Sequence, residues 1–494
     1  MSYNTLVYFI GDSIFRNNSA EYGGGLYAYS STLKFNGSIT FENNSAANFG
    51  GGIVATNRTL MTFNGNSIFR NNSARSGGGI LVEDNTLMAF NGSNLFGNNT
   101  AEFGGGIYTW NSTINFSGNN NFGNNLAVTR GGGIFAVVST LVTFNGSSFF
   151  RNNSAAYSGG GIYVWNSTLN FSGNSNFRNN SAALGGGIST VSGILSFTGN
   201  MEYTHNLAAY GGGLSASYSS TMKFTGNCNF TNNSVIDGGA VYTENSVLSF
   251  QGRNTFSGNS AQYSAGGFYS RNSTLTFSGS TNFGSNKGQL LGGGIYGFGT
   301  LLFFTGNNSF TANSAARGGG EYLINSFNFV AEGASVTMDG NNATEYGGAV
   351  YVEDSHPISY CFPDIANLER CFFQVDGLFQ ISHDDLEQLT STLLDRAAIH
   401  EFLQLNESTA QAIRALLNIN IHFSNNHAQK AGSAVFGGSV DNCDIQLGMN
   451  VTNTAMKAYQ SILRFNWHVP NLELHQNSIS SYPFQVCMCQ DGHE

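Results

Sequence analysis

The stretch Phe15-Arg-Asn-Asn-Ser-Ala-Glu-Tyr-Gly-Gly-Gly-Leu-Tyr-Ala-Tyr-Ser-Ser-Thr-Leu-Lys-Phe35 contains three features that recur along this chain of 494 residues. The first is an aromatic residue three places before an asparagine. The second is a glycine run that ends in an aliphatic residue, and the third is a short segment in which apolar and polar residues alternate. The set returns about every 27 residues, thirteen times within residues 1–353. Periods of this length are typical of solenoid proteins, in which each repeat forms one turn.

The alternating segments predict short β-strands, and the glycines and asparagines between them predict turns. One repeat offers three such strands, which are too short to bury a core by themselves. Stacked repeats would pair their strands in parallel and would place equivalent residues in columns along one axis. We therefore predict an all-β fold, a right-handed parallel β-helix of about 14 rungs with about 27 residues in each rung.

The columns predict which side chains are buried. The aliphatic residue after each glycine run and the phenylalanine that closes each alternating segment are expected to face the interior. The first set is Leu26, Ile53, Ile80, Ile107, Ile134, Ile162, Ile188 and Leu214, and the second is Phe35, Phe63, Phe90, Phe116, Phe144 and Phe171.

The asparagine of the first motif is kept in all fourteen occurrences of the motif. Asparagine tolerates left-handed turn geometry, and its amide can donate to the next rung while it accepts from the previous one. We therefore predict a structural asparagine ladder rather than a ligand site. Its first nine members are Asn18, Asn44, Asn72, Asn99, Asn125, Asn153, Asn180, Asn206 and Asn233.

The repeat pattern stops after Tyr351 and returns near Ile419. We predict four segments: β-helix repeats over residues 1–353, a small helical insertion over 354–418, a final rung over 419–440 and a C-terminal cap over 441–494. Within the insertion, residues 384–405 and 408–417 have helical composition, and Ser408 is a suitable N-cap.

Five of the six cysteines follow the repeats, and Cys228 lies alone within them. Six cysteines allow fifteen complete pairings, so the sequence does not fix the connectivity. We expect one disulfide between Cys361 and Cys371 and another that joins Cys443 to Cys487 or Cys489. These candidate disulfides favour an oxidising, extracellular setting.

Charge and hydropathy exclude several classes of function. The net charge is −10, and no segment is basic enough to neutralise the phosphates of a nucleic acid. No apolar run is long enough for a transmembrane helix, and the histidines and cysteines lack metal-ligand spacing, so no cofactor is expected. The first ten residues lack a signal peptide and align with the middle of a repeat, so we expect the natural N-terminus to lie further upstream.

The two motifs resemble a known repeat. Phe15-Arg-Asn-Asn18 and its successors, together with Gly238-Gly-Ala-Val241 and Gly347-Gly-Ala-Val350, are similar to the repeats of the polymorphic outer membrane proteins of chlamydiae and their relatives. The resemblance covers residues 1–353 and 419–436, about three quarters of the chain. It implies a β-helical domain that is exported by autotransport and takes part in adhesion to host cells. Similar repeats also occur in large secreted or surface proteins of eukaryotes.

Several single residues depart from the pattern or add to it. Arg16, Glu42 and Arg70 share one column, which we expect to face solvent. Glu321 stands in an inward aliphatic position, and we expect a local shift that turns it outward. His205 is interpreted as a turn residue. N-glycosylation sequons begin at Asn17, Asn43, Asn71, Asn98, Asn152, Asn179 and Asn232 in one column, and at Asn111, Asn166, Asn272, Asn406 and Asn450 elsewhere.

Function follows from what the repeats lack. Carbohydrate-active β-helix enzymes need carboxylates clustered on one face. The acidic positions after the glycine runs are expected to lie at least four rungs from one another: the pair Glu83-Asp84, the single Glu244 and the pair Glu353-Asp354. We predict a non-catalytic, secreted or cell-surface adhesin or structural rod, whose partner is a cell-surface or matrix protein or a glycan. The alternatives are a pectate-lyase-like carbohydrate-active enzyme and an intracellular scaffold.

Overall fold

The computed structural model describes residues 5–330, 334–353, 420–430, 432–433 and 435–437. They belong to two compact units, one within residues 1–261 and the other within residues 262–494. All regular secondary structure in the described residues is β-strand. The predicted helical insertion, the predicted cap and the five cysteines after residue 353 lie outside these residues.

Each repeat forms one turn of a parallel β-solenoid. Most turns contribute one strand to each of four sheets, numbered 1 to 4 in chain order, and paired strands of neighbouring turns are parallel. In the third turn, sheet 3 is continued by single parallel bridges at Ser73 and Ser76. In sheet 1, for example, Thr5 to Phe9 pair with Ser31 to Phe35 in register. The predicted parallel β-solenoid is therefore confirmed, and the right-handed sense of its winding stays a prediction.

The first unit contains most of the strands. Sheet 1 has Thr5–Phe9, Ser31–Phe35, Leu60–Phe63, Leu87–Phe90, Thr113–Phe116, Leu141–Phe144, Thr168–Phe171, Ile194–Phe197, Thr221–Phe224 and Val247–Phe250. Sheet 2 has Ser13–Arg16, Ile39–Glu42, Ser67–Arg70, Asn94–Gly97, Asn120–Gly123, Ser148–Arg151, Ser175–Arg178, Met201–Thr204, Cys228–Thr231 and Asn254–Ser257. Sheet 3 has Ser19–Tyr22, Ser45–Phe49, Thr100–Phe103, Leu126–Arg130, Ser154–Ala155, Ser181–Leu184, Leu207–Tyr210, Ser234–Val235 and Ser260–Ala261. Sheet 4 has Leu26–Tyr29, Ile53–Thr56, Ile80–Val82, Ile107–Trp110, Ile134–Val137, Ile162–Trp165, Ile188–Val191, Leu214–Ser217 and Val241–Glu244.

The second unit repeats the same four sheets. Sheet 4 has Phe268–Arg271, Ile295–Phe298, Glu321–Ile324, Val350–Glu353 and Val435–Gly437, and sheet 1 has Thr274–Phe277, Leu301–Phe304 and Phe327–Val330. Sheet 2 has Thr281–Gly284, Asn307–Thr311, Ser335–Asp339 and Asn420–Ser424, and sheet 3 has Lys287–Gly288, Ser314–Arg317, Asn342–Tyr346 and His427–Ala428.

Two columns of phenylalanine fill much of the interior of the first unit. On sheet 1 the rings of Phe63 and Phe90 stack with centroids 4.6 Å apart, and on sheet 2 those of Phe69 and Phe96 stack at 4.9 Å. The two columns meet edge to face, as Phe90 and Phe96 do at 5.8 Å. Both arrangements are favoured by the ring quadrupole. The predicted inward column of sheet 4 is also buried from Ile53 onward.

Sheet 3 was not expected, because the sequence predicts three strands in each turn and the structure has four. The additional strand follows the ladder asparagine, as in Ser45–Phe49. Its residues are small or polar, and Ala46 is the inward one and is buried. In five turns of the described part the strand has only two residues. So short and small a segment gives almost no alternation of hydrophobic side chains by which to recognise a strand.

Candidate functional site

The asparagines of the first motif form one hydrogen-bonded column. Oδ1 of Asn44 accepts hydrogen bonds from the backbone N–H and from Nδ2 of Asn18 at 3.1 and 3.0 Å. The backbone N–H and Nδ2 of Asn44 then donate to Oδ1 of Asn72 at 3.0 and 3.1 Å, and Nδ2 also donates to the carbonyl oxygen of Phe15 at 2.9 Å. Equivalent amide contacts continue through Asn99, Asn125, Asn153, Asn180, Asn206, Asn233 and Asn259 in the first unit, and through Asn286, Asn313, Asn341 and Asn426 in the second.

The residue before each ladder asparagine lies at a turn, in most cases an exposed one, and has a left-handed backbone. Its φ angle is 58° at Asn17, 54° at Asn43 and 55° at His205. His205 is therefore a turn residue, as predicted. The sequon asparagines of this column occupy the same position, so their side chains project from the turns. Cys228, in contrast, is fully buried on sheet 2, and burial raises the pKa of its thiol.

The charged column on sheet 2 forms the expected attractions. The Glu42 carboxylate lies between Arg16 and Arg70, with N–O distances of 2.7 and 2.8 Å. The two arginine side chains are about half exposed, whereas the Glu42 side chain is 11% exposed because the arginines cover it. The column is solvent-facing at its arginines only.

Glu321 faces the interior of the second unit, and the expectation that it turns outward is wrong. Its side chain is fully buried, and its strand pairs in register with Ile295 on one side and Val350 on the other. On sheet 1 of the same turn, Asn328 donates from Nδ2 to Oε2 of Glu321 at 3.1 Å. Burial raises the pKa of Glu321 to about 8, which the hydrogen bond from Asn328 partly offsets.

Tyr322 explains why the strand of Glu321 does not shift. It lies on the outer face of sheet 4, where its ring stacks between those of Tyr296 and Tyr351 at centroid distances of 5.6 and 4.7 Å. A shift by one residue would reverse the facing of the whole strand and would break both stacks. The strand keeps its register, and the buried Glu321 carboxyl group has the hydrogen bond from Asn328.

Acidic residues of the described part do not gather into a metal-binding group: the structure there holds no cluster of three or more His, Cys, Asp or Glu side chains suited to a metal ion. Glu83 and Asp84 are neighbours on the border of sheet 4. Burial, followed by the charge of Asp84, raises the pKa of Glu83, and the hydroxyl of Thr56 donates to Asp84 Oδ2 at 3.0 Å. No helix of the described part is both long and apolar enough to cross a bilayer.

The outer face of sheet 4 in the first unit carries the most distinctive surface. Three consecutive strands present two outward rows there. One row is Tyr108, Phe135 and Tyr163, and the other is Trp110, Val137 and Trp165; each row is aligned in register. We call these six residues, together with Arg130, the aromatic surface.

The middle of the aromatic surface is packed, while its tryptophan edge is open. The Phe135 ring contacts that of Tyr108 edge to face at 5.2 Å and that of Tyr163 at 5.1 Å. Phe135, Val137 and Tyr163 form an apolar cluster on this outer face. Trp110 and Trp165 remain 36% and 47% exposed, and burial raises the pKa of both Tyr108 and Tyr163.

Arg130 borders this surface on the side of sheet 3. Its guanidinium carbon lies 5.6 Å from the centre of the Tyr163 ring, a distance at which a cation is attracted to the ring face. Arg130 is solvent-exposed and forms no salt bridge with another described residue. The surface therefore combines exposed indole rings with an unneutralised positive charge.

Sequence reasoning did not single out this surface. The signal was available, since Trp110 and Trp165 stand at equivalent places after their glycine runs, two repeats apart. A row of aromatic residues after the glycine run is also what a buried column would give, and only the alternation of the strand distinguishes the outer row from the inner one.

One protein family matches the chain. The family profile of the Chlamydia polymorphic membrane protein (Chlamydia_PMP) repeat matches residues 38–56, 147–164 and 227–244. No curated protein and no solved structure shows significant similarity to the chain. Each matched segment runs from the start of a sheet 2 strand, through the ladder asparagine and the glycine run, into the following sheet 4 strand. The chain is therefore a β-solenoid protein, three segments of which are similar to the Chlamydia polymorphic membrane protein repeat.

Proposed function

We propose that the chain is a non-catalytic surface or secreted repeat protein that acts as an adhesin or as a structural element. The observation that carries the proposal is the aromatic surface, where Trp110 and Trp165 are presented to solvent by strands of a regular stack. Exposed tryptophan, tyrosine and arginine on a rigid support are the residues that dominate binding energy in recognition surfaces. The family match supports the same role, because its repeats are those of membrane proteins.

Adhesion is tested with the full chain coupled to fluorescent beads. More beads that carry the wild type than beads that carry albumin are expected to bind to cultured epithelial cells. Beads that carry the double variant Trp110→Ala, Trp165→Ala should bind in smaller number than wild-type beads. Ile194→Ala is the control, since Ile194 is 61% exposed on sheet 1 of the same unit. Wild-type binding no higher than that of albumin would contradict the adhesin role.

Secretion is tested through the cysteines. We propose that Cys361 pairs with Cys371, and Cys443 with Cys487 or Cys489, in an oxidising compartment. The division into repeats over 1–353, an insertion over 354–418, a final rung over 419–440 and a cap over 441–494 is part of the same proposal. The mass of native material, compared before and after reduction and alkylation, should reveal at least one disulfide. If every cysteine of native material is free, the secreted role is rejected and the intracellular scaffold is favoured.

The asparagine ladder is proposed to be structural. From Asn44 to Asn259 its members are buried, and each amide is engaged by the turn before and the turn after it. A ligand would have to displace these hydrogen bonds, so we assign the ladder no binding role.

A further inference from the structure

We propose that the aromatic surface of the first unit binds a linear glycan that carries a carboxylate on alternate sugars. This inference rests on the proposed function, for which it names a partner. Two of the three tryptophans of the chain lie on this surface, and they are separated by the single residue Val137 in their row. Two parallel-strand spacings amount to roughly 9.6 Å, which is comparable with the length of one disaccharide in an extended glycan.

Each of the two tryptophans on this surface is followed by an asparagine. Asn111 and Asn166 both occupy left-handed corners, with φ angles of 45° and 47°. Within the described part of the chain, neither side chain has a hydrogen-bond partner, although both backbone N–H groups are bonded. A pyranose ring needs this combination, because its axial C–H face packs on an aromatic ring while its hydroxyl groups require donors and acceptors at the edge.

The charge of Arg130 selects an acidic sugar. Guanidinium groups pair with carboxylates through directed, charge-assisted hydrogen bonds. In the second unit the comparable outer cations are already neutralised, since Arg317 and Lys430 share the carboxylate of Glu345 at 2.9 and 2.8 Å. Arg130 has no such acidic partner among the described residues, so the charge remains available to a ligand.

Glu83 and Asp84 border the aromatic surface on the side of Trp110, where their charge disfavours the carboxylate of a glycan. Glu83 lies in the turn before Trp110, and its charge contributes to the raised pKa of Tyr108. An acidic ligand is repelled there and attracted toward Arg130 and Trp165. We therefore place the bound carboxylate near Arg130, with the chain extending over both tryptophans.

A repeated ligand explains the repeated Trp-Asn pair better than a folded protein does. The spacing of the two Trp-Asn pairs, two turns of the stack, matches the repeat of such a polymer, whereas a protein partner or a second copy of this chain would not require this distance. A nucleic acid also repeats, but the net charge of −10 opposes it.

The test uses full chain produced without N-glycosylation, because Asn111 and Asn166 begin sequons. Hyaluronan hexasaccharide, which has a carboxylate on alternate sugars, is titrated while tryptophan fluorescence and heat are recorded. Saturable binding is expected. Trp165→Ala should weaken it by about tenfold or more, the effect of removing an aromatic side chain that dominates binding. Arg130→Gln should weaken the binding of hyaluronan and should leave unchanged the binding of chitohexaose, an uncharged oligosaccharide of the same length.

Two matched controls complete the design. Arg178→Gln removes the same charge from an exposed position on sheet 2, and Ile194→Ala removes an exposed apolar side chain from sheet 1. Both should bind hyaluronan as the wild type does. Circular dichroism of each variant should match that of the wild type, since all the substituted side chains are solvent-exposed.

Several results would overturn the inference. They are the absence of saturable hyaluronan binding, hyaluronan binding that Arg130→Gln does not weaken, and a loss of hyaluronan binding in Arg178→Gln equal to that in Arg130→Gln. A dimer in sedimentation that Trp165→Ala dissociates, without sugar binding, would assign the surface to a second copy of this chain. If beads still adhere to cells while hyaluronan fails to bind, the glycan assignment fails and the adhesin role stands.

Discussion

The φ angle of the residue before each ladder asparagine determines which residue types occupy that position of the repeat. Left-handed φ costs an ordinary residue roughly 1–2 kcal/mol, and asparagine and glycine tolerate it best. The chain uses asparagine at most of these places, and also His205, Ser285 and Ala312, all with φ between 53° and 55°. The regular sequons of this column are thus accounted for by turn geometry, because a serine or threonine commonly follows the ladder asparagine.

Tyr203 provides a stability test at a single atom. It replaces phenylalanine in the sheet 2 column, is fully buried, and stacks on Phe177 and Phe230 at 5.1 and 4.5 Å. Its hydroxyl has no hydrogen-bond partner in the described structure. We expect Tyr203→Phe to raise the free energy of unfolding by about 1–2 kcal/mol, the cost of an unsatisfied buried hydroxyl.

The measurement is a urea titration with the matched variant Tyr218→Phe, which removes the same hydroxyl from a side chain that is 63% exposed. Tyr218→Phe should leave the free energy of unfolding unchanged. A lower stability for Tyr203→Phe would show that the hydroxyl has a partner.

Glu321 gives the protein a specific pH dependence. Its pKa is about 8 in the folded chain against 4.5 ordinarily, so between these values the folded state holds a proton that the unfolded state has lost. Stability therefore falls as pH rises through this window, by about 1.4 kcal/mol per pH unit, and changes no further above it. Glu321→Gln should remove this slope.

Urea titrations at about pH 5, 7 and 9 compare the wild type with Glu321→Gln and with Glu21→Gln, which neutralises an exposed carboxylate. The free energy of unfolding of Glu321→Gln relative to the wild type should increase with pH. The same difference between Glu21→Gln and the wild type should stay nearly constant. A constant difference for Glu321→Gln would mean that Glu321 ionises normally.

At the level of elements, the ladder holds sheet 2 to sheet 3 in every turn. Asn153 donates to Asn180 Oδ1 and to the Phe122 carbonyl oxygen, at 3.0 and 2.9 Å, and its Oδ1 accepts from Asn125. Asn153→Ala should lower the free energy of unfolding by about 3 kcal/mol or more, since buried partners are left unsatisfied.

The neighbouring Asn152→Gly is the control for the ladder. Among the described residues, the Asn152 side chain donates only to the exposed Asn124 side chain, at 3.1 Å, and glycine accepts the left-handed backbone of this position. Asn152→Gly should lower the free energy of unfolding by much less than Asn153→Ala does. Equal shifts in the two variants would show that the ladder hydrogen bonds contribute little.

The glycine run is the second element whose residue choice is steric. A Cβ on Gly105, the second glycine of its run, would lie 2.5 Å from the Gly132 oxygen and 2.6 Å from the Leu126 oxygen. On Gly106, the third glycine, it would approach one oxygen, that of Gly133, at 2.5 Å. Alanine already occupies the third place at Ala240 and Ala349.

We expect Gly105→Ala to lower the free energy of unfolding by about 3 kcal/mol and Gly106→Ala to lower it by about 1 kcal/mol. The difference arises because two carbonyl groups crowd the new Cβ at Gly105 and only one crowds it at Gly106. Thermal unfolding of the two variants measures the difference. Equal losses would contradict the steric explanation of the run.

The sequence predicted the elements unevenly. The inward columns that contain Ile53 and Phe63 follow from their period alone, and the structure confirms them. The inward facing of Glu321 could not be predicted, since its compensating partner Asn328 lies on another sheet and only the folded turn brings the two together. The aromatic surface was missed for a related reason, because whether a row is inner or outer depends on strand register.

At the level of the whole molecule, each turn of a unit contacts only its neighbours, so complete turns are interchangeable. Deletion of residues 201–227 would join Asn200 to Cys228, and Ser175, which now pairs with Met201, would pair with Cys228 instead. We expect this variant to fold, with β-type circular dichroism and a cooperative thermal transition. Deletion of residues 201–213 removes part of a turn and should prevent folding. If this variant were more stable than the variant that lacks residues 201–227, complete turns would not be interchangeable.

The direction of the hydrogen bonds in the four sheets has a mechanical consequence. They run from turn to turn, so a force that pulls a unit apart along the stacking direction loads the outermost turn alone. Each turn that peels away releases about 27 residues, or roughly 90 Å of extended chain. A unit under tension would lengthen in equal steps at nearly constant force, and an attachment made through it would dissipate work gradually instead of breaking at once.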